Sequence, residues 1–336
     1  MSDFVTLAHG SGGKLTHRLI SDIFYKHFGN ELLLEGGDSA IFSVGGGKMA
    51  FTTDSYVISP IFFKGGNIGK LAVCGTVNDL AVCGASPKYL SCGFIIEEGL
   101  LLSELETIVE AMAETAKSAG VVIATGDTKV VQKGCADKVF INTAGIGFVP
   151  DYVNLSTKNI SSGDKVILSG TMGDHGAAIL LERENFKVKS DISSDCAPLN
   201  TMLEPVLSRF GSALRVMRDP TRGGVATTLN ELIAGTGLCI TLKENFLPVR
   251  EEVKGVCEML GLDPLYMANE GKVLIIADEA AADGVVSSLK ESPYGKDACV
   301  IGTVSDAFAD RVLLNTAAGG NRIIDMLTGD QLPRIC

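Results

Sequence analysis

Apolar and polar positions divide the chain into alternating helix and strand signals. From Lys14 onward, Leu15, Leu19, Ile20, Ile23 and Phe24 recur at the spacing of one helical face. Two strand-like runs, Gly37 to Val44 and Lys48 to Asp54, flank Gly45-Gly46-Gly47 and read as a β-hairpin. Asn67 to Cys83 reads as a helix carrying Ile68, Leu71, Ala72 and Val82, and Tyr89 to Ile96 as a strand beyond Pro87. Ser103-x-x-Glu106 has the form of a capping box for a helix reaching about Ala119. Val121 to Ala124 has the pattern of a buried strand that stops at Thr125-Gly126-Asp127-Thr128-Lys129. Lys138 to Phe148 is a further strand, and Pro150 closes this unit.

The second half begins after Ser161-Ser162-Gly163 with a strand at Lys165 to Leu168, a glycine-rich turn and a short apolar helix. Helices and strands alternate to about Leu314, with Val273 to Ala277 a strongly apolar strand. Ala317-Ala318-Gly319-Gly320 reads as a hinge. The expected organisation is an arm (1–35), a first domain (36–150), a second domain (161–314) and a flexible tail (315–336), without an internal repeat.

A length of 336 residues suits about two domains. No apolar run reaches the ~18 residues of a membrane span, and the start Met1-Ser2-Asp3 carries no secretory signal, so a cytoplasmic chain is expected. Nine cysteines without a Cys-x-x-Cys pair argue against a zinc cage and a disulfide framework. A net charge of −11 disfavours nucleic acid and anionic membranes as partners. With only four histidines and many carboxylates, a bound metal would be a hard, oxygen-ligated ion such as Mg²⁺.

The candidate chemistry lies at element ends. Gly10-Ser11-Gly12-Gly13 ahead of a helix offers bare backbone N–H groups to an anion, although a flexible arm explains the same residues. It is not a Walker A loop, since Ala8 and Leu15 replace two of its required residues. If Val44 pairs with Lys48, counting sets Asp38 opposite Asp54, which is unfavourable unless a cation lies between them. Asn78-Asp79 interrupts an apolar helix, and Asp127 sits at an expected strand end. Arg218-Asp219-Pro220-Thr221-Arg222-Gly223-Gly224 reads equally as a phosphate-friendly helix start or as a capped helix with an ion pair. His175 reads as a helix-start residue bonded to backbone more readily than as a general base. Glu270, between Asn269 and Gly271, is either a base or a turn former. Pro333-Arg334-Ile335-Cys336 carries a thiol at its tip, and cysteine fourth from the end, which prenylation needs, is missing.

Taken in order, these motifs resemble the HypE family of hydrogenase maturation proteins, within the aminoimidazole ribonucleotide synthetase (PurM-like) superfamily. Gly10-Ser11-Gly12-Gly13, Thr53-Asp54-Ser55-Tyr56-Val57, Asn78-Asp79-Leu80 and Gly126-Asp127-Thr128-Lys129-Val130 carry the resemblance, with Asp219-x-Thr221-Arg222-Gly223-Gly224, Asn269-Glu270-Gly271-Lys272 and the Pro-Arg-Ile-Cys ending. It covers essentially the whole chain. It implies two α+β domains and a homodimer whose first domains share a β-barrel and bind ATP with Mg²⁺. Asp38, Asp54, Asp79, Asp127 and Asp219 would then be metal or phosphate ligands. Gly10, Ser11, Gly12, Gly13, Asn78, Gly126, Thr128 and Arg222 would meet the nucleotide. HypF would load a carboxamide onto Cys336, and ATP-driven dehydration would turn it into a thiocyanate. Glu270 would act as base, with Lys129 near the phosphate or carboxamide. The cyano group would pass to iron on a HypC–HypD complex for [NiFe]-hydrogenase. Two rivals make different demands: a selenophosphate synthetase-like small-molecule kinase needs a reactive thiol near the glycine loop, and a non-enzymatic scaffold needs no ATP turnover.

Overall fold

The computed structural model describes Thr6 and residues 12–28, 30–183, 190–327 and 335–336. The arm holds α1 (Lys14–Leu19), a π-helical turn (Ile20–Tyr25), α2 (Lys26–Phe28) and α3 (Glu31–Leu34). The expected helix forms, but its apolar stripe is not buried: Ile23 and Phe24 stay exposed.

The first domain runs β1 (Ala40–Val44), β2 (Gly47–Tyr56), β3 (Phe62–Phe63), β4 (Gly66–Asn67), α4 (Ile68–Val82), β5 (Ser86–Glu97), α5 (Leu102–Ala119), β6 (Val122–Val131) and β7 (Val139–Val149). Five strands form one sheet in the order β1-β2-β7-β5-β6, antiparallel except for the parallel β5–β6 pair. α4 is apolar on nearly every face because it lies between this sheet and the helices behind it, burying Ile68, Leu71, Val73, Val77 and Leu80 completely. Each such side chain contributes roughly 2 kcal/mol of transfer free energy. The other face of the sheet is open and apolar, with Phe51, Tyr89, Ile95, Val122 and Phe148 exposed. No closed barrel forms among the described residues of the single chain.

The second domain comprises β8 (Lys165–Leu168), α6 (Asp174–Arg183), α7 (Asn200–Phe210), β9 (Leu214–Arg218), α8 (Gly224–Ile233), β10 (Cys239–Lys243), α9 (Glu251–Leu260), β11 (Leu274–Ala277), α10 (Ala282–Lys290), β12 (Cys299–Ser305), β13 (Arg311–Asn315) and β14 (Asn321–Ile324). Its seven-stranded sheet has the order β14-β13-β10-β12-β8-β11-β9. β11 is buried at every residue, as its unbroken apolar run requires. Among the described residues no helix is long and apolar enough to cross a membrane.

Five local expectations are corrected. The hairpin turn has two residues, Gly45 and Gly46, both at positive φ, so Val44 faces Gly47 and the register is one residue off the counted one. Continued past Ala40, that register sets Asp38 against Thr53 and not Asp54. The capping box is not made: Ser103 lies inside α5, whose N-cap is Leu101 and has no side-chain cap bond. β6 does not stop at Ala124 but runs through Lys129 to Val131, held by parallel pairing with β5, and it is exposed. Asp127 is therefore a mid-strand residue. The 317–320 hinge is the turn of the β13–β14 hairpin, closed by the Thr316 N–H to Gly320 carbonyl bond of 2.8 Å. The start of the expected tail is thus sheet, and Ile335 near its tip is buried.

Candidate functional site

Three carboxylates from distant parts of the sequence meet at the domain boundary. Asp38 lies just before β1, Asp79 in the last turns of α4 and Asp219 just after β9, and their oxygens all lie within 4.8 Å of one another. Thr52 Oγ1 is 2.8 Å from Asp79 Oδ2 and 2.9 Å from the Asp38 carbonyl. Arg218 Nη1 donates to Asp38 Oδ1 at 2.7 Å, and Nη2 reaches Glu231 at 3.5 Å. Burial pushes the Asp38 carboxyl up to about 8 against the pull of Arg218, and repulsion from Asp219 and Glu231 adds to it. Asp219 is raised to about 6, mainly by burial, with Arg218 opposing and Asp54 adding repulsion. Asp79 is pushed well up by burial and then by Asp219, Asp54 and Asp38. Three hard oxygen donors that repel one another in a partly shielded pocket fit a hard divalent cation.

Asp54, on β2, also has its carboxyl raised by burial, with Arg222 pulling the other way. Arg222 lies between this cluster and the end of the chain. Its charge is favoured first by Cys336, then, against the cost of burial, by Asp54 and Glu270. Gly12 packs on it: a Cβ there would come within 3.0 Å of Arg222 Cβ, and φ is +81°. Gly13 lies against the Leu327 carbonyl, which accepts from Lys14 N–H at 3.1 Å. The glycine loop is thereby tied to the second domain.

Glu270 is buried, and its Oε1 meets no hydrogen-bond partner among the described residues. Burial raises its carboxyl well above the usual range, helped by Cys196, Asp219, Asp195 and Asp54. Its backbone is fixed from two sides. The Glu270 N–H donates to Asp195 Oδ1 at 3.0 Å, while Asn78 Nδ2 donates to the Glu270 carbonyl at 3.3 Å and to the Ala197 carbonyl at 3.1 Å. Asn78 Oδ1 accepts from Leu199 N–H at 2.8 Å. Lys272 Nζ closes the arrangement at 3.1 Å from Asp195 Oδ2 in an ion pair almost shut off from water. Burial works against the Asp195 carboxylate, but Lys272 and the Glu270 N–H hold its carboxyl below the ordinary value.

The end of the chain docks here. The Val57 N–H donates to the Cys336 carbonyl at 3.0 Å, and Ile335 joins the core that contains Tyr56, Ile58 and Cys196. His175 Nε2 is 2.6 Å from the Ile335 carbonyl, and its Nδ1 is 2.8 Å from Ser194 Oγ. The backbone-bonded reading of His175 holds, but the backbone is that of the distant tail and not of its own helix start.

Of the residues singled out from the sequence, Asp38, Asp54, Asp79, Asp219, Asn78, Arg222, Glu270, Cys336, Gly12 and Gly13 converge on this one region. Gly126, Asp127, Thr128 and Lys129 do not join them within the chain. They lie on β6, exposed, with Lys129 Nζ 2.9 Å from Asp127 Oδ2 and the Asp127 carboxyl lowered by that bond. Gly10, Ser11, Pro333 and Arg334 lie outside the described residues. Thr52, Asp195 and Ser194 were not found from sequence. Thr52 carried a signal, being the inward neighbour of Asp54's strand positions; Asp195 and Ser194 sit in patternless loop 190–199 and carried none.

Comparison with known proteins adds to this geometry. Residues 36–149 match the family model "AIR synthase related protein, N-terminal domain", and residues 161–315 match "AIR synthase related protein, C-terminal domain". The carbamoyl dehydratase HypE of Bradyrhizobium diazoefficiens is 50% identical over 335 residues, spanning 99% of this chain and 96% of that protein. A solved HypE–HypF complex contains a chain that superposes with a TM-score of 0.87 at 47% identity, covering 92% of this chain and 99% of the other. A HypE structure in complex with ATP superposes with a TM-score of 0.83 at 48% identity, covering 98% and 100%.

Proposed function

The chain belongs to the AIR synthase related family and, within it, to the HypE carbamoyl dehydratases; from that premise we propose that it uses ATP to dehydrate an S-carboxamide on Cys336. The product is a thiocyanate, the source of the cyano ligand for the iron of [NiFe]-hydrogenase. The observation that carries this reading is the docking of the chain end, with Cys336 beside Arg222, an arginine whose charge Asp54 and Glu270 also favour.

The chemistry needs a leaving group. An amide oxygen is a poor one and phosphate a good one, so the carboxamide oxygen attacks the γ-phosphorus of ATP and expels ADP. The nitrogen gives up both its protons as the carbon–oxygen bond breaks, leaving S–C≡N and phosphate. Asp38, Asp79 and Asp219 would hold Mg²⁺, which when bound neutralises the phosphate charge. The glycine loop would offer backbone N–H groups to the phosphates, with the Gly12 N–H exchanging its 2.9 Å bond to Thr16 Oγ1 for a phosphate oxygen. Arg222 faces the reacting thiocarboxamide from the cationic side. Glu270 takes the nitrogen protons in turn: burial raises its carboxyl well above its ordinary value, which strengthens it as a base.

The homodimer belongs to this proposal. One row across the first sheet runs Asp54, Thr143, Cys92, Gly126. At ~4.8 Å per strand, Gly126 is roughly 14 Å from Asp54, so Asp127, Thr128 and Lys129 do not reach their own chain's site. The open apolar face of the sheet suits a second copy, whose β6 would bring Lys129 to the carboxamide or phosphate and close a barrel between the two sheets. HypF as the carbamoyl donor and a HypC–HypD complex as the cyanide acceptor complete the reading. Nine free thiols and no disulfide suit a reducing cytoplasm.

The test is the intact mass of the protein after incubation with HypF, carbamoyl phosphate and ATP. An adduct that loses water only with cleavable ATP, and is missing in Cys336→Ala, is the expected result. ATP consumption with no adduct at Cys336 would point to a small-molecule kinase, and no ATP turnover at all to a scaffold.

A further inference from the structure

The docked tail is held by a contact that the dehydration chemistry does not use. His175 is fully buried at the start of α6, with its ring edge-on to Phe63 at 5.7 Å between centroids. Its two nitrogens have unequal partners. The Ile335 carbonyl, 2.6 Å from Nε2, can only accept, so Nε2 carries the proton. In a neutral ring Nδ1 is then an acceptor, and Ser194 Oγ, 2.8 Å away, is its donor. Ser194 is oriented for this, because its Oγ already accepts from Cys196 N–H at 3.1 Å. The result is one directed chain: Cys196 N–H to Ser194 hydroxyl, to His175, to the tail.

The support beneath the chain is specific. Ser194 N–H donates to the Lys64 carbonyl at 2.8 Å in the β3–β4 turn. Gly65 in that turn has φ +103°, and a Cβ there would come within 2.7 Å of the Ser194 carbonyl, so only glycine lets the loop lie this close. The next residue, Asp195, holds the Glu270 N–H. One short segment, 194–196, therefore sets both the tail and the base.

We propose that His175, oriented by Ser194, is the latch that holds the tail in its inward position and registers Cys336 against Glu270. It is a positioning residue: it touches the carbonyl of Ile335 and not the reacting thiol. Releasing the tail breaks the His175 bond and the Val57 N–H bond to the Cys336 carbonyl and empties the small apolar seat of Ile335, few enough contacts for a tail that must leave and return. Leucine at this position would remove the donor and leave the Ile335 carbonyl buried and unpaired, whereas glutamine retains an N–H donor.

The test reads the position of the tail directly and does not depend on the dehydratase reading. Wild-type protein, His175→Leu, His175→Gln and Ser194→Ala are exposed to iodoacetamide, and alkylation of Cys336 is followed by peptide mass. Exposed Cys135 serves as an internal reference. His175→Leu should raise the Cys336 rate by about tenfold relative to Cys135, the equivalent of one buried hydrogen bond. Ser194→Ala should raise it less, and His175→Gln should stay near wild type. If His175→Leu does not fold, the Ser194→Ala and His175→Gln pair decides the question. Cys336 rates within twofold of wild type in every folded variant except Gln would overturn the latch. So would a Gln variant as fast as Leu. The role in dehydration rests on the proposed function: His175→Leu should accept the carboxamide from HypF at an undiminished rate and lose water from it more slowly. Loss of both steps together, with Cys336 still shielded, would count against the latch while leaving the dehydratase reading intact.

Discussion

Two lysine–aspartate pairs, one inside the candidate site and one on β6 away from it, could hardly differ more. Lys129 and Asp127 lie two apart on β6, each more than two-thirds exposed, at 2.9 Å. Lys272 and Asp195 come from different parts of the second domain and are over nine-tenths shielded, at 3.1 Å. The first pair is screened by water and adds little to the stability of the chain that carries it. The second has been taken out of water, and neither member can lose its partner without leaving a bare buried charge. Charge in the buried pair fixes structure, since Asp195 also holds the Glu270 N–H. Charge on β6 has no such task among the described residues of its own chain, and the proposed second copy would give it one.

The largest effect of a single substitution should come from breaking the buried pair. Lys272→Met should cost about 3–5 kcal/mol in urea unfolding, and adding Asp195→Leu should return most of it. Dehydration should not return with the stability, because the Glu270 N–H would have lost its acceptor. A cost for Lys272→Met as small as that of a surface pair would show that water reaches Asp195 and void the contrast.

The acid cluster sharpens the comparison, since it is held by a half-buried arginine, Arg218, and not by a lysine. Asp38 and Asp219 are raised to about 8 and about 6 from an ordinary 3.8. A carboxyl raised in the folded state contributes stability that is complete below the unfolded value and lost as pH rises through the folded one. Cation-free protein should therefore lose stability, on the order of 5 kcal/mol, between about pH 4 and pH 8. Millimolar Mg²⁺ should flatten that loss, with its stabilising effect growing toward high pH. Thermal melts with and without Mg²⁺ across this range check it, and a Mg²⁺ effect independent of pH would argue against binding at these acids.

The smallest effect on stability, and the most telling, concerns Lys129. Lys129→Met should leave the urea midpoint unchanged and still abolish dehydration. Glu270→Gln should also be inactive. If each site takes Lys129 from the partner copy, mixed dimers of the two variants regain some intact sites, and activity should reappear on mixing. Silence on mixing, with mixed dimers confirmed by mass, would mean that Lys129 serves the same chain as Glu270 or neither.

Most elements were legible in the sequence, and so were most site residues, but their partners were not. Asp38 and Asp54 attracted notice as opposed charges, yet the two-residue Gly45–Gly46 turn shifts the register, and the acids that meet Asp38 come from α4 and from beyond β9. That meeting depends on how α4 crosses the sheet, which no strand count contains. Thr125 to Lys129 looked like a strand stop because glycine and aspartate favour turns. Pairing with β5 overrides that preference. The sequence marks His175 as bonded to backbone but does not show which, since its partner lies 160 positions away. Asp195 and Ser194 had no pattern to give them away; only the folded loop shows what they touch.

Asn78 sets a limit on how far this protein can be treated as two exchangeable modules. Residues 36–149 and 161–315 match separate family models, which invites swapping one half for a relative's. Yet the amide of Asn78, on the first half, satisfies backbone groups of 197, 199 and 270 on the second. A chimera could keep both folds and still set the base at the wrong depth, because its height is read across the seam by a side chain from the other half. Inheritance of the two halves must therefore be joint, even where their sequences drift apart.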